Sequence, residues 1–317
     1  MLRGWFLLGQ RAYNAQASKP KDPDMQVILH TGAHCTDDDK ILKCLLRNAS
    51  DWRHEGIAIP GPSKYRQSLS LLANNLANKT PGPDAREIVL DTILAEDPDQ
   101  IERLLLSHEN FFAVPKLLFG GGLIYRKAEM RMRMLCDLFQ GDQIEMFMGL
   151  RNPATFLPAV YAQTPHDDFA TFMNGVDPAH VLWSDLLRRL RAEVPEVPIT
   201  VWCNEDTPLI WGEILREMAG IELTRKIIGA FDVFSDIITQ EGMKRFRAFL
   251  KENPNVNEIQ KRRVMTAFLG KYAIEDAIEE ELDLNGWDDD YVDMLTEIYE
   301  EDIFTISRMP GVQLITP

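Results

Sequence analysis

Chemistry-bearing side chains are concentrated between Thr31 and Asp39. Gly32, His34, Cys35, Thr36, Asp37, Asp38 and Asp39 there follow a short apolar run, Val27-Ile28-Leu29. An apolar β-type run, a glycine turn and a pattern of helical period make the grammar of a loop that binds phosphate at a helix N-terminus. The pattern GxxxxGK[ST], counted from Gly32, puts Asp37, Asp38 and Asp39 where glycine, lysine and Ser/Thr are required. Those acids have two readings. Thr36-x-x-Asp39 is a capping-box-like sequence, and acids in the first helical turn satisfy free NH groups and favour the positive end of the dipole. Alternatively, Asp37, Asp38 or Asp39 could hold a divalent cation that bridges to a phosphate. Without a metal they oppose a bound anion. At ~6 Å and an effective dielectric of about 20, two unit charges repel by roughly 3 kcal/mol.

Further polar clusters follow other apolar runs. Ser107-His108-Glu109-Asn110 comes directly after Leu104-Leu105-Leu106. His108 or Glu109 could serve as a general base for an acceptor hydroxyl, or the cluster is a strand-end turn with its polar groups satisfied. Cys203-Asn204-Glu205-Asp206 follows Ile199-Thr200-Val201-Trp202 in the same way. Arg151-Asn152-Pro153 follows Ile144–Leu150, with proline suited to the first position of a helix. His30 and His34 read as packed or hydrogen-bonded side chains. The basic stretch Arg126, Lys127, Arg131 and Arg133 serves a phosphate or pairs with surface carboxylates, and Gly120-Gly121-Gly122 is a lone glycine cluster.

The loop and the Arg151-Asn152-Pro153 segment together resemble the sulfotransferase family. Its bacterial members often carry G-x-H-K-T-G-T-T after the first strand. Gly32, His34 and Thr36 match, Cys35 stands where the family has its lysine, and Asp37, Asp38 and Asp39 replace Gly-Thr-Thr. Sulfotransferases also present R-N-P after a strand with a serine eight residues beyond the arginine. Arg151, Asn152 and Pro153 match, but that serine is Ala159 here. The resemblance implies a P-loop-type fold and the donor 3′-phosphoadenosine-5′-phosphosulfate. It places Gly32, His34, Thr36 and Arg151 at the donor, with Arg151 on the 3′-phosphate. The departures from the family pattern, Cys35, the three aspartates and Ala159, imply impaired or lost donor chemistry. The family's lysine neutralises charge developing on the bridging oxygen. Cys35 cannot, being neutral as a thiol and of the wrong sign as a thiolate. The expectation is a sulfotransferase-like protein with sulfuryl transfer impaired or lost. The alternative is an active, metal-assisted sulfotransferase acting on a hydroxyl or amine.

The elements that must position these residues are short strands alternating with helices. Strands are expected at 26–31, 56–59, 103–106, 144–150 and 198–202. Helices are expected from near Asp37 through Leu46, with Ile41, Leu42, Leu45 and Leu46 on one face, and over 64–78, 85–94, 125–139, 178–193 and 210–218. Alternation of this kind gives an α/β fold, a mostly parallel sheet with helices on both faces. After Phe234 only helical patterns appear, closing with a Met309-Pro310-Gly311-Val312 tail. The expected organisation is a peripheral tail over 1–24, an α/β core over 25–235 and an acidic helical extension packed on it over 236–317. Lys19–Asp24 reads as a linker, and Met25 is a candidate natural start.

The chain has 317 residues, 45% of them hydrophobic, enough for a sizeable core. No apolar run approaches the ~18–20 residues of a membrane span. Four cysteines without a metal or disulfide pattern, and no secretion signal, point to a reducing cytoplasm. The net charge of −15 argues against nucleic acid and anionic membrane as partners. Fourteen acids and no lysine or arginine lie between Glu275 and Asp302. That run is a solvated helical face or a docking surface for a protein partner. The remainder is close to neutral, so a small anionic ligand is compatible with it.

Overall fold

A computed structural model describes residues 25–75, 81–95, 97–278 and 284–317. The tail over 1–24 and the last residues of the helix expected to reach 78 lie outside them. β1 (Gln26–His30) leads through a nine-residue loop to α1 (Lys40–Trp52), then β2 (Ile57–Ala58), α2 (Pro62–Asn75), α3 (Ala85–Ile93) and β3 (Arg103–Ser107). A small antiparallel pair follows, β4 (Phe119–Gly120) and β5 (Leu123–Ile124), then α4 (Ala128–Leu138), β6 (Gln143–Leu150), α5 (Pro153–Ala162), α6 (Phe169–Met173) and α7 (Trp183–Glu193). β7 (Ile199–Cys203) and α8 (Thr207–Ala219) close this part. They are succeeded by α9 (Asp232–Asp236), α10 (Gln240–Glu252), α11 (Glu258–Tyr272), α12 (Asp289–Ile306) and β8 (Val312–Ile315).

Six strands form one sheet in the order β2-β3-β1-β6-β7-β8, with every pairing parallel. Alternate residues feed two cores, as the two-residue period of a strand requires. Val27, Leu29, Leu104, Leu106, Met146 and Val201 pack on one face under α2, α4, α5 and α7. Ile28, Leu105, Phe147, Trp202 and Ile315 pack on the other under α1 and α8. The chain moves from β1 to β2 and β3 on one side and then crosses to β6 on the other. The order therefore reverses between β1 and β6, which places a crevice at their carboxyl ends.

Several sequence-based expectations are corrected. The chain does not end in helices and a tail: Val312–Ile315 is a strand that pairs with β7. α12 packs against α5 and α7, so residues beyond 236 help build the main layers. The separate cluster in this part is smaller, with Phe234, Ile238, Met243, Phe246 and Met265 buried among α9–α11. The helix expected over 178–193 is broken, a single 3-10 turn at Pro178–His180 preceding α7. Leu46 points away from the core, at 37% exposure, and Asn48 is buried in the same helix. Asn48 earns its place by hydrogen bonding: it accepts from the Ile228 amide and donates to the Cys44 and Ile228 carbonyls. The glycine cluster is the β4–β5 turn, where Gly121 and Gly122 both take positive φ, as a two-residue hairpin demands.

Candidate functional site

The four expected polar segments end β3, β1, β6 and β7, which are neighbours in the sheet. They meet along one carboxyl edge. At its centre, the loop after β1 is stitched to β6: Gly149 donates to the Gly32 carbonyl at 2.7 Å and Ala33 donates to the Gly149 carbonyl at 3.0 Å. Gly32 has φ +97°, and a Cβ there would stand 3.1 Å from the His34 nitrogen and 3.5 Å from Glu109. Glycine is needed at this turn for both its backbone angle and its closeness to the β3 segment.

His34 is buried with both ring nitrogens engaged. Nε2 donates to Asn110 Oδ1 at 3.2 Å, so Nδ1 is the acceptor for the Tyr125 hydroxyl at 2.7 Å. Burial holds its pKa below the ordinary histidine value, and the ring is neutral. Thr36 Oγ1 donates to the Ala33 carbonyl at 2.7 Å. The Thr36–Asp39 capping box is therefore absent. α1 begins at Lys40, three residues after Asp37, and no acid lies in its first turn. The reason is the backbone: Asp38 and Asp39 both have positive φ, which postpones the helix. Asp37 reaches forward instead, and its Oδ2 accepts the Ile41 amide at 3.0 Å. A carboxylate thus occupies one of the free NH groups at the helix start.

Asp39 makes a two-pronged pair with Arg66 of α2, at 3.0 and 2.5 Å. This pair is the main reason its carboxyl is held below the usual range. Arg66 Nε also donates to the Ser107 carbonyl at 2.8 Å, tying α2 to the end of β3. The side chain of Asp38 is exposed, and its carbonyl accepts Lys43 Nζ at 3.1 Å. The three carboxylates therefore point to different places. Among the described residues, no group of three or more His, Cys, Asp and Glu side chains is placed to hold a metal ion.

Arg151 comes to the same loop from β6. It is buried, donating to the Cys35 carbonyl at 2.5 Å and to Thr155 Oγ1 at 3.0 Å. Cys35 contributes its backbone, with φ +56°. Ala159 is half-buried on α5, one turn beyond Thr155. On the β3 side, His108 is buried, with Nε2 2.9 Å from Ser70 Oγ and Nδ1 without a partner among the described residues. Burial, reinforced by Arg66 and Arg131, lowers its pKa to about 4. Glu109 is half-buried, and burial followed by repulsion from Asp39, Asp37 and Asp38 pushes its pKa up. Of the two candidate bases, Glu109 is the one in contact with the loop's field, and His108 is turned into the protein. His30 lies beneath, its Nδ1 3.0 Å from Ser107 Oγ, stacked on Trp202.

On the far side, α12 closes over the edge. Glu205 accepts the Asn152 amide at 2.8 Å and the Tyr299 hydroxyl at 3.1 Å. Asn152 donates to Thr296 Oγ1 at 2.8 Å, and Trp287 donates to the Ala154 carbonyl at 2.7 Å. Asp206 stands half-buried beside them, its pKa raised by burial. In the basic stretch, Arg133 pairs with Glu193 and Glu196, and Arg131 donates to Asn74 and the Phe111 carbonyl. Neither reaches the loop. Arg66, Ser70, Tyr125 and Tyr299 serve the site without a sequence signal, because each arrives from an element remote in the chain, whereas Thr155 sits one helical turn beyond Arg151.

A pocket of about 630 Å³ opens at the opposite, amino edge of the sheet, among Gln26, Arg133, Cys136, Asp142, Glu145 and Pro198. Three of its acids are already bound up, Asp142 by Arg86, Glu145 by Thr200 and Glu196 by Arg133. The convergent chemistry is at the carboxyl edge.

No helix among the described residues is long and apolar enough to cross a membrane. The chain matches no protein-family model, no curated protein and no solved structure.

Proposed function

We propose that this chain is a sulfotransferase-like protein of P-loop type whose donor loop is filled by its own side chains, so that sulfuryl transfer is lost and the scaffold serves binding. The observation that carries this reading is the Asp37 carboxylate on the Ile41 amide, at the helix start where a donor phosphate would bind. Two further facts support it. The nearby guanidinium groups already hold loop atoms, Arg66 the Asp39 carboxylate and Arg151 the Cys35 carbonyl. Four carboxylates surround the turn, Asp37, Asp38, Asp39 and half-buried Glu109, against the two guanidinium groups of Arg66 and Arg151.

The residues present do not fit 3′-phosphoadenosine-5′-phosphosulfate. Binding it would require breaking the Asp37 cap and the Asp39–Arg66 pair while adding anion to anion. Each ~1.4 kcal/mol of that cost is a factor of ten in affinity. Calorimetric titration with adenosine 3′,5′-bisphosphate, with and without Mg²⁺, tests the reading. No heat of binding is expected in either buffer. Micromolar affinity in metal-free buffer would overturn it and restore the transferase.

A further inference from the structure

Charge is segregated along this chain. Between Gln240 and Tyr272, spanning α10 and α11, eight lysines and arginines face three acids, in a molecule of net charge −15. Lys244, Arg245, Arg247, Lys251, Arg263 and Lys271 are all exposed. Between the two helices lies a shallow groove of about 450 Å³ lined by Phe249, Phe268 and Tyr272. The small side chains Ala248 and Ala267 leave it open, and Glu252 is the only acid lining it among the described residues. Two cations stand over the Tyr272 ring, Arg245 at 5.8 Å and Lys271 at 5.4 Å. Arg245 is also paired with Glu241 at 2.6 Å within α10.

α12 has the opposite character. Asp289, Asp290, Asp293, Glu297, Glu300 and Glu301 are exposed on it. Two large apolar side chains lie among them, Met294 at 38% and Phe304 at 57% exposure. Met294, Glu297, Glu301 and Phe304 are spaced by three and four residues, so they form a single stripe on the helix. Arg308 covers one face of the Phe304 ring, at 3.8 Å. The other acids of this helix have structural duties: Asp288 caps its start, and buried Asp302 accepts the Ser184 amide at the start of α7.

We propose that two copies of this chain associate, the acidic stripe of α12 in one seated in the basic aromatic groove between α10 and α11 of the other. The mode is a helix laid in a groove, with Met294 and Phe304 as anchors and carboxylates meeting cations along the sides. Both surfaces belong to every copy, so a closed two-fold pairing makes the contact twice. Complementary charge selects this occupant. Nucleic acid would meet the same cations, but it would be repelled by the strongly negative remainder of the molecule. The inference makes no use of the donor loop. Titration with the bisphosphate tests that loop, and sedimentation tests this contact, so the two can fail separately.

The test compares the full chain with two surface variants, Arg245→Glu with Lys271→Glu on the groove and Glu297→Lys with Glu301→Lys on α12. Thermal melts check that each folds. Wild type is expected to sediment as a dimer at low salt, its association weakening about ten-fold or more as salt shortens the Debye length. Each variant alone should be monomeric. An equimolar mixture of the two should form a dimer again, because each reversed groove then meets a reversed helix. A monomeric wild type at low salt overturns the proposal, and one that shifts single-stranded DNA in a gel replaces it with a nucleic-acid groove. A dimer indifferent to both variants and to salt overturns it as well, and the salt arm decides the matter even where a variant does not fold.

Discussion

Asp37, Asp39 and Glu109 are three carboxylates around one turn, and their surroundings divide their roles. Asp37 takes a helix amide, Asp39 takes Arg66, and Glu109 has burial and three like charges against it. The last two should respond to pH in opposite senses. Arg66 lowers the folded pKa of Asp39 below its ordinary 3.8, so the pair stabilises in full above that value and is lost as pH falls through the lower folded value. Asp39→Asn should therefore cost stability at neutral pH. The loss should be about 1 kcal/mol or less, because the Asp39 side chain is 36% exposed and solvent screens the pair. Glu109 has a raised folded pKa, so its charge is a burden at neutral pH, and the burden disappears as pH falls below its ordinary 4.5. Glu109→Gln should melt higher than wild type at pH near 7. Melts over a pH series should show the two variants approaching wild type in acid from opposite sides. A Glu109→Gln protein less stable than wild type at neutral pH would mean that the carboxylate is held by a favourable partner.

Elements built from local signals were legible in the sequence, and those built from distant contacts were not. β1, β3, β6 and β7 each read as apolar runs followed by polar clusters, because buried parallel strands carry little else. The meeting of those clusters along one edge followed from the α/β order alone. β8 escaped because its four residues follow Met309-Pro310-Gly311 and bury only Ile315 well. The start of α7 escaped because its amide is capped by Asp302, more than a hundred residues away. The late start of α1 escaped because positive φ at Asp38 and Asp39 leaves no mark on composition. The closing of α12 over the edge is the least local feature, and Tyr299 carries it, donating toward the Leu150 carbonyl and Glu205. Tyr299→Phe keeps the ring and removes the hydroxyl. Leaving the buried Leu150 carbonyl short of a donor should cost about 1–3 kcal/mol in a denaturant melt. An unchanged midpoint would mean that α12 is held by its apolar contacts alone.

At the scale of the whole molecule, the far strand of the sheet is β8, and its Ile315 belongs to the core. Ile315 is 4% exposed and packs with Trp202, Phe147 and the α1–α8 layer. β8 covers the edge of β7 and is itself the edge strand, only four residues long, and a short edge strand limits pairing with other chains. Removing a buried isoleucine side chain to alanine costs about 2–5 kcal/mol, the lower part applying where the surroundings can relax. An edge strand relaxes more readily than a central one, so Ile315→Ala should cost about 2–3 kcal/mol and lower the melting temperature by several degrees. Phe304→Ala supplies the contrast. Phe304 is a larger side chain but is 57% exposed, so its removal should hardly change the melt. What it should change is association, if its ring anchors a second copy. The two substitutions thus separate what holds one molecule together from what joins two. Equal destabilisation by both would show that α12 is buried more deeply than its exposed stripe implies. No effect from Ile315→Ala would show that the sheet ends at β7.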